Sequence, residues 1–124
     1  MEARLIEAEA QLRAGNAAGS LATLNALRTT VTGLTPLADA GTDAGRVDQL
    51  FRERAFWNFG RGHRVGDLRR LIRQYGRAPD TVFPTGTWHK NDAQYGADVT
   101  IPVPAAEQNN ANTQGAEICL NRTA

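Results

Sequence analysis

A chain with one cysteine, Cys119, cannot close an internal disulfide. That cysteine reads as a small hydrophobe near a C-terminal edge, or as the partner of a cysteine on a segment outside this sequence. A catalytic thiol lacks the neighbouring histidine it would need. Lysine is as scarce: Lys90 stands against thirteen arginines. Surfaces that track phosphate usually draw on lysine as well. No run of about 18 apolar residues occurs, so no helix of the sequence can cross a membrane. Glu2, Arg4, Glu7 and Glu9 interrupt any apolar signal-peptide core near Met1. Read literally, this gives the expectation of a soluble cytoplasmic protein. Gly60-Arg61-Gly62-His63 lacks the lysine and hydroxyl of a phosphate loop. His63, His89, Asp92 and Glu107 show none of the short spacings that hold a metal, so no metal and no cofactor are expected.

What is present is unevenly distributed. The net charge is only +1, yet residues 46–77 hold nine basic groups against three acidic ones, and both flanks are acidic. A basic middle can mean a nucleic-acid patch. It can equally mean arginines paired within the molecule, and their interleaving with aromatics favours that. At 124 residues the chain suits a single domain, or part of one, able to bury roughly two-thirds of its unfolded surface.

The chain opens with two helical patterns. Over Glu2–Ala14, Leu5, Ala8 and Leu12 share a face. Gly15-Asn16 reads as a stop, and Ser20 as the N-cap or first turn of a second helix carrying Leu21, Leu24, Leu27 and Val31. The pair resembles one tetratricopeptide unit, with small Ala8 and Ser20 where two antiparallel helices approach. Residues 32–45 read as a linker, tacked down by Leu34 and Leu37, with Thr42 or Asp43 capping a third helix that starts near Gly45.

The densest stretch is Arg52–Tyr75: seven arginines, two carboxylates and four of the eight aromatic residues. Val47, Leu50, Phe51 and Ala55 form one helical stripe, broadened by Phe56, Trp57 and Phe59. Leu68, Leu71, Ile72 and Tyr75 form another, with Arg69, Arg70 and Arg73 on the opposite side. Gly60 and Gly62 predict a break or sharp bend within a helical element over 46–76, and Gly76 is its expected cap. With Glu53 and Asp67 as the only local acids, each is expected to anchor more than one arginine through planar two-bond forks. The expected structural charge cluster is Glu53, Arg54, Arg64, Asp67 and Arg69.

After Gly76 the periodicity fades. Thr81–Pro84 reads as extended. Trp88 to Gly96 reads as a polar loop, and residues 99–104 as an edge or packed extended segment limited by Pro102 and Pro104. A turn of helix at Ala105–Gln108 and an amide-rich loop at Asn109–Gly115 complete the expectation. The fold class is thus mostly α: a tetratricopeptide-like helical hairpin, a bent Arg-rich helix and an irregular, loop-rich C-terminal segment.

Glu53-Arg54, Gly62-His63-Arg64 and Asp67-Leu68-Arg69-Arg70 together resemble the E-R…G-H-R-x-x-D-L-R-R run near the C-terminal end of the SusD/RagB family. Where the family often has two glutamates, this chain has Trp57 and Arg61. Pro102-Val103-Pro104 with Glu107 and the following asparagines resembles a second family segment, with Ala111 in place of its proline. The resemblance implies an outer-membrane, surface-exposed lipoprotein that binds a glycan or other nutrient without catalysis. It also implies a SusC-like TonB-dependent transporter as partner. On this view the export signal and lipidated cysteine belong to an N-terminal portion outside the sequence.

No catalytic constellation stands out. His63 with Asp67 can be written as a base and its orienting acid, but the nearby arginines compete for the carboxylate and no nucleophile is supplied. For sugar, the residues of suitable type are Trp88, Asn91 and Tyr95, since pyranose rings stack on aromatic faces while amides meet hydroxyls. Folding of Trp88 onto its own domain is the plainer alternative. Two other functional classes stay open: a protein-interaction module built on the hairpin, and an arginine-dependent nucleic-acid binder.

Overall fold

The computed structural model describes residues 1–96 and Val99, and within these the architecture is mostly helical. Four helices of 12 to 15 residues, α1 (Glu2–Arg13), α2 (Ala17–Arg28), α3 (Asp43–Trp57) and α4 (Arg64–Tyr75), precede the short α5 (Pro79–Val82). No strand forms among the described residues. The described residues fall into two compact units, one of Met1–Arg64 and one that begins at Val65.

In the first unit α1 and α2 form the expected hairpin. Gly15, at φ 79°, ends α1: its N–H reaches Leu12 and the Asn16 N–H reaches Gln11, a doubly closed helix end. Asn16 then caps α2, its side-chain oxygen accepting from the Gly19 N–H at 2.9 Å. Of the two places expected for Ser20, the cap falls to Asn16 and Ser20 takes the first turn, where its N–H returns to the Asn16 carbonyl and the residue is buried. Leu5 and Ala8 of α1, Leu24 and Leu27 of α2, and Leu50 and Phe51 of α3 are the buried apolar residues of this unit. Leu12 and Leu21 are half-buried, and Val31 lies beyond α2 and is exposed.

The linker is an ordered strap. Asn25 pairs with the backbone of Leu37 in both directions, accepting at 2.7 Å and donating at 3.1 Å. Arg28 donates to the Thr35 carbonyl and Gln49 to that of Ala38. Arg46 grips Asp39 through two bonds of 2.7 and 2.8 Å and also bonds Asp43. Thr42 caps α3, accepting from the Gly45 N–H.

The Arg-rich element is two helices, not one bent helix. After α3 the N–H of Phe59 and that of Arg61 return to Phe56 and Asn58, and the chain then passes through Gly60 and Gly62 at φ 72° and 78°. These left-handed positions suit glycine and cannot continue a right-handed helix. The broadening of the stripe by aromatics is not realised. Trp57 is half-buried, while Phe56 and Phe59 are 66% and 88% exposed.

In the second unit α4 buries Leu68 and Leu71, with Ile72 and Tyr75 half-buried. Gly76, at φ 64°, lets the Arg77 N–H return to Leu71. Thr81 and Val82 are helical, not extended, because Pro79 supplies a first-turn residue with φ already fixed. Phe83 is extended, as a residue before proline tends to be. Gly86 to Tyr95 forms a small hairpin around an isolated antiparallel bridge, Thr87 to Gln94. Val99 is buried. Cys119, Glu107, Pro102, Pro104 and the turn and loop expected after them lie outside the described residues.

Candidate functional site

The first unit buries acid and base together. Glu53 is 3% exposed and accepts twice, from Arg28 Nη1 at 2.8 Å and from Trp57 Nε1 at 3.0 Å. Arg54, also buried, stands 3.8 Å from Glu9 Oε2 of α1 and 5.9 Å from the Phe51 ring centroid. So Glu53 does not gather the arginines of its own stretch. Its guanidinium partner is Arg28, from α2, and Arg54 draws on an acid of α1. A charge surrounded by core leucines must be neutralised by whatever element packs over it, and here that is a different helix.

In the second unit Asp67 is 4% exposed and approaches Arg70 at 3.4 Å, three residues along α4. Arg69 is half-buried, and its Nε has no hydrogen-bond partner among the described residues. Arg64 does not join the cluster. It is exposed, and no carboxylate of the described residues pairs with it. Arg52, Arg61 and Arg73 are exposed as well. Of the arginines in this stretch, Arg54 and Arg70 stand within 4 Å of a carboxylate among the described residues, Arg54 at 3.8 Å from Glu9 and Arg70 at 3.4 Å from Asp67. His63 is offered no nucleophile; its Nε2 stands 3.7 Å from Glu2 of α1.

Asn58, the residue that closes α3, is buried, and neither its amide nitrogen nor its oxygen finds a partner among the described residues. No group of three metal-ligating side chains occurs among the described residues, and no helix there is long and apolar enough to cross a membrane.

Trp88, Asn91 and Tyr95 all lie within the hairpin of residues 86–95. The Trp88 N–H donates to Ala93 and the Tyr95 N–H to Gly86, placing both aromatics on its paired arms. Asn91 uses its side-chain oxygen to accept from Ala93 N–H in the turn, where Asp92 adopts φ 55°. Trp88 is half-buried, with Lys90 Nζ 5.7 Å from its ring centroid and His89 edge-on at 6.0 Å. Tyr95 and Asn91 are exposed.

Sequence reasoning missed a groove in the first unit. A cavity of about 770 Å³ lies between the strap and α3, walled by Val31, Leu34, Leu37, Phe56 and Trp57. The Arg28–Glu53 pair lines it, as does Arg52. No sequence signal reveals it, because Arg28 and Glu53 are 25 positions apart. Glu9 was within reach of pattern reasoning, since it lies four residues from Leu5 on the buried face of α1.

Comparison with family models, with curated proteins and with solved structures finds no match to this chain.

Proposed function

We propose that this chain is part of a SusD/RagB-like protein that captures a glycan or related nutrient at the outer-membrane surface without catalysis. It would hand its ligand to a SusC-like TonB-dependent transporter. The supporting observation is the burial of three charged residues of the family-like run, Glu53, Arg54 and Asp67, each at most 4% exposed. Charged side chains kept this dry and paired make a scaffold rigid, and they are poorly placed to meet a substrate. A scaffold of this kind, with a tetratricopeptide-type hairpin, is what the resemblance implies. On this reading the ligand meets the hairpin of residues 86–95, where Trp88 and Tyr95 offer ring surface and Asn91 an amide.

The test is retention of the whole chain on immobilised polysaccharides in low and high salt. Retention that is insensitive to salt, and reduced at least about tenfold by Trp88→Ala, is the expected result. Affinity that instead falls steeply with salt, with nucleic acid as the best competitor, would replace the proposal by the arginine-dependent alternative.

A further inference from the structure

The groove between the strap and α3 has no part in the reading above and is independent of it. Its apolar walls do not meet. Phe56 is 66% exposed on one side, and Val31 and Leu34 are 43% and 40% exposed on the other. Polar anchors set that separation. The strap is fixed by the two-way pairing of Asn25 with Leu37, by Arg28 to Thr35, by Gln49 to Ala38 and by Arg46 to Asp39. Every one of these bonds positions backbone or charge, and none draws Leu34 toward Phe56. The cavity is therefore built before any ligand arrives, and its volume of about 770 Å³ falls in the range of roughly 300–1,000 Å³ usual for small-molecule sites.

The polar groups of its lining select the ligand. Arg28 donates to both Glu53 and Thr35, and Glu53 has one oxygen on Arg28 and the other on Trp57. This floor is satisfied and offers little to sugar hydroxyls. Asp48 also lines the groove and has an interaction of its own. Arg52 is the lining cation left with no carboxylate of the described residues in ion-pair reach. Apolar walls with one unpaired guanidinium at the mouth complement an apolar body that ends in a carboxylate.

We infer that the groove is a binding site for a small amphiphilic carboxylate, its aliphatic or aromatic body between Leu34 and Phe56 and its carboxylate on Arg52. Calorimetric titration of the whole chain with decanoate, and with decanol as the uncharged probe, tests this. Saturable one-to-one binding of decanoate below about 1 mM is expected. Arg52→Gln should weaken decanoate about tenfold and leave decanol unchanged. Leu34→Glu should abolish both. Arg52 and Leu34 are exposed, so these variants keep the fold, and their circular dichroism should match the parent. No saturable binding, or an Arg52→Gln protein that binds decanoate as tightly as the parent, overturns the inference. A chain that sediments as a dimer and becomes monomeric on Phe56→Ser overturns it too, because a second copy would then fill the groove.

Discussion

At the scale of single residues, burial separates arginines that the sequence presents as equivalent. Arg54 lies in the core beside Glu9 and Phe51, whereas Arg64 stands in solvent. Removing one partner of a buried, hydrogen-bonded pair leaves the other charged and dry, which typically costs about 3–5 kcal/mol. Glu53→Ala strands both Arg28 and the Trp57 indole N–H. Its urea midpoint should fall by an amount matching that range. Arg64→Ala should change stability by no more than about 0.5 kcal/mol, as exposed substitutions commonly do. A similar loss in both would mean that Glu53 is not the buried acceptor described.

At the scale of elements, the turns and the strap carry the predictions. Gly60 and Gly62 separate α3 from α4, and both have positive φ with open space where a Cβ would stand. Alanine at either position is disfavoured by backbone conformation alone, by about 1–2 kcal/mol. Chemical denaturation of Gly60→Ala and Gly62→Ala should show destabilisation, although helix propensity by itself ranks alanine above glycine.

The strap is held in part by an exposed ion pair and responds to pH with a definite sign. The Arg46 guanidinium, bonded to Asp39, holds that carboxyl below its ordinary range. The unfolded chain therefore binds a proton at Asp39 more readily than the folded one. The stabilisation is present at neutral pH and is lost as pH falls through about 4 and below. Asp39→Asn should be less stable than the parent at pH 7, and the gap should narrow in thermal melts as pH falls below about 4. A gap that persists unchanged in acid would assign the effect to packing.

At the scale of the whole molecule, two compact units carry two different kinds of surface. The first holds a dry charge network and an apolar groove, and the second carries an aromatic hairpin of residues 86–95. The hairpin is where the nutrient-binding proposal is decided, and the groove is where the carboxylate inference is decided. Trp88→Ala and Arg52→Gln should therefore act separately, each changing one ligand's affinity and sparing the other's.

The helices were written into the local pattern of the chain. Leucines at intervals of three and four, glycines at 15, 60, 62 and 76, and the cap at Thr42 are local signals, and a helix is a local structure. Hence the hairpin, the break after α3 and the end of α4 were all legible. The helical turn at Pro79 and the hairpin of residues 86–95 were not, because they are short and carry little periodic pattern. Which charges are buried, and with whom, came from packing alone. Arg28 with Glu53 and Glu9 with Arg54 join residues from separate helices, and the alternation of polar and apolar residues along a chain does not encode such partners. The groove was equally out of reach. It exists because side chains from α2 and α3 pin a strap in place, and the space between two surfaces is a property of neither sequence segment taken singly.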